Sequence, residues 1–158
     1  MKPLDLAAQP LPHLSGNALA RGDQAEAAEG DAALADFVAA DVVVIGAPMY
    51  NFAIPSQLKA WIDRITVAGK TFRYTASGVQ GLAGGKQVIV AVSSGGVDPA
   101  DVTGDFVVPY LRHLFAFLGI ENVRFVRAEG LAVSACGREQ GLNAALAAAM
   151  NLPLARAA

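Results

Sequence analysis

Apolar residues along this chain follow two alternating patterns. A short unbroken run occurs at 42–45, and further strand-like stretches rich in apolar residues lie at 87–92 and 123–128. Between them, apolar positions recur every three or four residues. The run Val42-Val43-Val44-Ile45 is too apolar for a half-exposed strand, so it predicts a strand covered on both faces, as in a parallel sheet. Pro48 brings no N–H to a ladder and ends that strand. A helix is expected at once, with Pro55 in its first position and Leu58, Trp61, Ile62 and Ile65 on one face.

The flanking segments repeat the alternation. Asp31 is placed to cap a helix carrying Leu34, Phe37 and Val38, which delivers the chain to the first strand. The second strand spans 87–92, and a loop containing Asp98-Pro99 follows it. A helix over 106–118 then carries Leu111, Leu114, Phe115 and Leu118 on one face; Pro109 is tolerable only in its first turn, and Gly119 suits its C-terminal cap. The third strand is 123–128, and a final helix runs from about 137 to 150 before Pro153. Strand–helix alternation of this kind predicts a parallel α/β layer architecture. After Gly69-Lys70-Thr71-Phe72-Arg73-Tyr74-Thr75 comes a turn-rich stretch containing Gly78, Gly81, Gly84 and Gly85. Pro3, Pro10 and Pro12 forbid regular structure at the start, although Leu4, Leu6, Leu11 and Leu14 can dock that arm. The expectation is one domain over 1–158, with an irregular arm over 1–30 and an α/β core over 31–158.

Composition narrows the function classes. With 158 residues, 12 basic and 14 acidic, the chain carries no nucleic-acid or anionic-membrane footprint. Cys136 is the sole cysteine, which excludes an internal disulfide and suits a reducing, cytoplasmic setting. The amino terminus lacks the apolar run of a signal peptide, and no segment reads as membrane-spanning. His13 and His113 read as solvated residues rather than a pair. A Ser–His hydrolase is a poor fit, because Ser93 and Ser94 sit in no Gly-x-Ser-x-Gly elbow.

The candidate chemistry lies just past the strand ends, the rim where open α/β sheets bind ligands. There stand Met49-Tyr50-Asn51-Phe52 after the first strand and Ser93-Ser94-Gly95-Gly96 after the second. Together with Ser56-Gln57-Leu58-Lys59, Gly69-Lys70-Thr71-Phe72-Arg73-Tyr74-Thr75, Pro109-Tyr110-Leu111, Phe117-Leu118-Gly119-Ile120 and Ala128-Glu129-Gly130, these motifs resemble the FMN-dependent NADH:azoreductase and quinone reductase family. The resemblance runs from about Leu4 to the end of the last helix. It implies a flavodoxin-like fold, with helices on both faces of the sheet, and a homodimer with FMN at the subunit interface. It also implies NADH or NADPH as electron donor, a quinone or azo acceptor, and ping-pong use of one site. Carried over by position, Met49, Tyr50, Asn51 and Phe52 wrap one edge of the flavin ring, and Ser93, Ser94, Gly95 and Gly96 approach its pyrimidine end. Tyr74 and Phe117 resemble residues that reach the flavin from the partner subunit. No catalytic side chain is required, since the flavin carries the redox chemistry, and no metal ligand set is visible.

Two positions depart from the family pattern: Ser94 stands where many relatives carry Arg, and Arg127 where some carry an aromatic residue. A βαβ unit needs two apolar strand runs in roughly 30 or more residues, and the 40 residues before Asp41 contain neither. The sheet is therefore expected to be incomplete at the amino-terminal side, without the first strand, the Ser-rich phosphate loop, the first helix and the second strand. That leaves an alternative function, a non-catalytic flavodoxin-like remnant that dimerises or binds a protein partner.

Overall fold

The computed structural model describes residues 2–20, 22–97 and 105–153. In chain order its elements are α1 (Gly16–Leu19), α2 (Gln24–Ala39), β1 (Val42–Pro48), α3 (Ser56–Ile65), β2 (Phe72–Thr75), β3 (Gly78–Gly81), β4 (Gln87–Ser93), α4 (Val107–Phe117), β5 (Asn122–Ala128) and α5 (Ala135–Met150). The loop expected at Asp98-Pro99 lies outside the described residues. β1, β4 and β5 form a parallel sheet in that order, in register from Val42↔Gln87↔Asn122 to Pro48↔Ser93↔Ala128. All three strands therefore end together, on one rim.

One face of this sheet makes the core. Ile45 and Ala47 of β1 and Val88, Val90 and Val92 of β4 pack with Phe37 of α2, Trp61 and Ile62 of α3, and Leu111 and Phe115 of α4. Successive strand residues point to opposite faces, so these odd and even sets share one side of the sheet through the register. α5 packs on the opposite side, where Ala145 meets Gly46, Ala91 and Val126. Helices thus lie on both faces, as the family resemblance implies. The coverage is unequal. β1 was expected to be covered on both faces, yet Val44 is 63% exposed and Val42 38%, because only α5 lies on that side and β1 is the sheet edge.

The helix before β1 begins earlier than Asp31 suggests. Asp23 caps α2 by accepting hydrogen bonds from the Ala25 and Glu26 amides at 2.9 and 3.0 Å. Residues 24–30 are thus helical rather than part of an irregular arm. Gly30 lies inside the helix because its missing Cβ makes room for Arg64, whose Cδ would stand 3.3 Å from it. Buried Arg64 pairs with Glu26 and donates to the Pro12 carbonyl at 2.9 Å, which ties the amino-terminal arm to α3. Leu6 and Leu11 pack on the core, while Leu4 and Leu14 stay exposed. At the far end of α2, Lys86 Nζ donates to the carbonyls of Phe37, Val38 and Ala40 at 2.9–3.1 Å. Burial lowers the Lys86 pKa, against the opposing charge of Asp41.

Three further boundaries shift by a residue or two. Pro55 precedes α3 as its N-cap, α4 starts at Val107, and α5 starts at Ala135 with Ser134 as cap. The stretch with Gly78 and Gly81, read from sequence as turn-rich, is one arm of an antiparallel hairpin over 72–81 that pairs Phe72↔Gly81 and Tyr74↔Val79. Its alternating Phe72 and Tyr74 are the signal that the neighbouring glycines obscured.

Candidate functional site

The rim site is built on a strained turn. Asn51 and Phe52 both have positive φ, 48° and 68°, and Tyr50 and Ala53 close them with two backbone hydrogen bonds of 3.0 Å. Two successive left-handed residues define a type I′ turn, which usually takes Asn or Gly. Asn51 suits that geometry and Phe52 does not. A non-glycine residue held there stores on the order of 1–3 kcal/mol of strain, and such strain concentrates at functional sites.

The second wall follows β4. Ser94 donates its amide to the Ala128 carbonyl at 3.0 Å, and the carbonyls of Ser94, Gly95 and Gly96 accept from the amides of Leu131, Ala132 and Gly130 in turn, which laces this loop to the segment after β5. The hydroxyl of Ser94 donates to the Gly96 carbonyl at 2.9 Å. Met49 donates to Ser93 at 2.7 Å, joining the two walls. Between them lies a cavity of about 270 Å³ lined by Met49, Asn51, Phe52, Ser94, Gly95 and Gly96. These are six of the eight flavin-edge positions named from sequence. Tyr50 does not line the cavity, because its amide and carbonyl are spent on the turn. Ser93 borders a neighbouring apolar cavity instead.

The hydrogen-bond inventory refines which amides are available. Those of Met49, Tyr50 and Ser94 are engaged within the fold. Those of Asn51, Phe52, Gly95 and Gly96 have no partner among the described residues. A cavity bordered by four unengaged donors, with Met49 and Phe52 as apolar walls, fits a flat heterocycle rich in acceptor atoms, as the flavin ring is. The lining contains no cationic side chain.

A charged cluster missed in the sequence stands at the same end of the sheet. Arg127 pairs with Asp105 and, at 3.0 Å, with Glu129. Asp105 also accepts from the amides of Val107 and Val108 at 3.0 and 3.1 Å, capping α4. Partial burial pushes the Asp105 carboxyl up, but the two amides and the guanidinium outweigh it and hold the pKa below the ordinary value. An Asp two residues ahead of an apolar helical run is a cap signal, and it could have located this residue.

Tyr74 and Phe117 come together elsewhere. Phe72 sits between them, 5.6 Å from the Tyr74 ring and 4.7 Å from Phe117. Tyr74 is 75% exposed at the hairpin. Neither residue lines the rim cavity of its own chain. His13, His113 and Cys136 are exposed, and no cluster able to hold a metal occurs among the described residues. No helix among them is long and apolar enough to cross a membrane.

A parallel sheet with a cavity at its carboxyl rim is the arrangement in which open α/β proteins bind ligands. A family model described as the flavodoxin-like fold matches residues 2–152. The chain is 59% identical over 143 residues to the FMN-dependent NADH:quinone oxidoreductase 1 of Xanthomonas euvesicatoria, covering 90% of this chain and 73% of that one. It is 54% identical over 162 residues to an FMN-dependent NADH:quinone oxidoreductase of Bradyrhizobium diazoefficiens, covering 96% and 80%. Among solved structures it is similar to an FMN-dependent NADH-azoreductase from Bacillus anthracis in complex with FMN, with a TM-score of 0.81, 31% identity, and coverage of 91% and 75%. The chain belongs to the family of FMN-dependent NADH:quinone oxidoreductases and azoreductases, on a flavodoxin-like fold.

Proposed function

We propose that this chain is an FMN-dependent NAD(P)H oxidoreductase that passes two electrons to a quinone or azo acceptor. The observation that carries this reading is the strained turn at Asn51 and Phe52, set across the rim cavity from Gly95 and Gly96 with all four amides unengaged. Bound there, the flavin supplies the redox chemistry, accepting electrons from the nicotinamide and releasing them to the acceptor. The protein's part is to hold and orient the ring. Asn51 and Phe52 offer donors to one edge, and Gly95 and Gly96 offer donors to the pyrimidine end. Fixed donors at a position where negative charge develops stabilise that charge without reorganising. Use of a single open site by donor and acceptor in turn gives ping-pong kinetics.

Exposed Tyr74, packed on buried Phe72 beside half-buried Phe117, supports a homodimer in which this surface of one subunit closes the site of the other. The sole cysteine supports a cytoplasmic setting. Titration of flavin-free protein with FMN, followed by flavin fluorescence, tests the site. NADH-dependent reduction of a short-chain benzoquinone tests the activity. Absence of saturable flavin binding overturns this reading.

A further inference from the structure

The loop that lines the rim cavity after β4 takes its orientation from another segment. Leu131 donates its amide to the Ser94 carbonyl at 3.2 Å, Ala132 to the Gly95 carbonyl at 3.0 Å, and Gly130 to the Gly96 carbonyl at 2.8 Å. A trans peptide is planar, so the carbonyl of one residue and the amide of the next point in opposite directions. With the Ser94 carbonyl held by Leu131, the Gly95 amide of the same plane points away from residues 130–132. The Gly95 carbonyl, held by Ala132, does the same for the Gly96 amide. These are two of the four unengaged donors at the cavity. Glycine has no Cβ to restrict its dihedrals, so nothing within Gly95-Gly96 itself sets these planes. The hydrogen bonds from Leu131 and Ala132 do.

The donor segment is in turn fixed from two sides. Arg127 reaches the Glu129 carboxylate at 3.0 Å. On the other side, the Glu129 carbonyl lies so close to α5 that a Cβ on Gly141 would stand 2.2 Å from its oxygen. A methyl there must displace backbone by about 1 Å to reach ordinary contact. A shift of that size breaks hydrogen bonds of 3.0–3.2 Å. Gly141 is helical and has no positive φ, so what it supplies is space. We propose that residues 129–132 hold the Gly95 and Gly96 amides toward the rim cavity, and that Gly141 is the positioning residue that seats them. The consequence rests on the flavin reading: amides held this way meet the pyrimidine end of the ring and stabilise the negative charge of its reduced form. Gly141 does not line the cavity, yet it raises the flavin potential through the loop.

The test compares Gly141→Ala with Gly30→Ala in the full 158-residue chain. Both place alanine inside a helix and gain helix propensity, but a Gly30 Cβ crowds only the Arg64 side chain, at 3.3 Å. Hydrogen exchange of flavin-free protein is read first. Gly141→Ala should speed exchange at the Leu131 and Ala132 amides by at least about tenfold, with the Val88 and Val90 amides of β4 keeping the parent rate. FMN is then added. Its affinity should fall by about tenfold, and the midpoint potential of the bound flavin should shift negative. Gly30→Ala should move none of these. A merely structural role for Gly141 would lower the unfolding midpoint without moving the potential. Should Gly141→Ala not fold, Gly130→Ala takes its place, since it forces alanine to φ 73° within the donor segment. Parental exchange at Leu131 and Ala132 would overturn the proposal, as would parental FMN affinity and potential in a variant whose exchange is faster. If the parent itself binds no FMN, the flavin reading falls, and the exchange result alone decides whether Gly141 seats the loop.

Discussion

Gly81 and Gly119 meet backbone to backbone: a Cβ added to Gly81 would lie 2.1 Å from the Gly119 nitrogen. That contact seats the β2–β3 hairpin on the end of α4, and Ala83 donates to the Leu118 carbonyl at 2.9 Å beside it. Gly81→Ala must move backbone rather than a flexible side chain. It should destabilise the chain by about 1–3 kcal/mol in urea unfolding. It should also weaken self-association, because the same hairpin carries Tyr74. A variant that keeps full stability would show that the hairpin is free to shift.

Phe52 offers a different balance. Its ring is 63% exposed, so removing it sacrifices little burial, while glycine adopts φ 68° freely. Relief of roughly 1 kcal/mol of strain offsets the similar entropic cost of glycine in the unfolded chain. Phe52→Gly should therefore leave the unfolding midpoint unchanged or higher. FMN affinity should fall, because the turn is no longer held in its presenting shape. A stability loss beyond about 1 kcal/mol would mean that strain is not what Phe52 contributes.

Asn51 and Asn122 make a matched pair of substitutions. Asn51 lines the rim cavity in a left-handed conformation, whereas Asn122 opens β5 with a buried Oδ1 that has no hydrogen-bond partner. Asn51→Ala should weaken FMN binding or shift the flavin midpoint potential. Asn122→Ala removes an unsatisfied polar atom and should change neither. Equal effects would remove the basis for placing the ring at the 49–52 turn.

These contrasts show what the sequence discloses. The three strands and the rim loops were legible, because short segments rich in apolar residues and the Pro48 and Gly95-Gly96 breaks act locally. The start of α2 was not, because Gly30 reads as a break until Arg64, far along the chain, is seen to need its space. The bare edge of β1 was anticipated from the lack of apolar strand runs before Asp41, whereas the composition of Val42 to Ile45 alone reads as a strand covered on both faces. The I′ turn was masked by Phe52, an unusual residue for positive φ. The Asp105–Arg127–Glu129 cluster joins positions 22 residues apart through the sheet, a relation that no local pattern records.

Asp105 gives a pH dependence of defined sign. Its carboxyl pKa is lower in the folded chain than its ordinary 3.8, so the unfolded chain binds that proton more tightly. The stabilisation is complete above the ordinary value and is lost as pH falls through the lower folded value. Urea midpoints measured from neutral pH into the acid range should therefore drop more steeply for the parent than for Asp105→Ala. The variant should be less stable at neutral pH by about 1 kcal/mol, the usual cost of a lost helix cap. Parallel acid profiles would show that the Arg127 and amide contacts do not bias this carboxyl.

The last prediction concerns the phosphate of FMN. The donors around the rim cavity, Asn51, Phe52, Gly95 and Gly96, suit the acceptor atoms of the ring, and no cationic side chain lines that cavity. A charge-assisted hydrogen bond contributes roughly 1.5–3 kcal/mol, so about three of them would favour FMN over riboflavin by at least a thousandfold. Without such contacts the two ligands should bind alike. Fluorescence titration of the 158-residue chain should give riboflavin and FMN affinities within about tenfold of each other, near or weaker than micromolar. If the chain alone already retains stoichiometric FMN through purification and rejects riboflavin, its phosphate contacts lie within these residues and the ring-only account of the site is wrong.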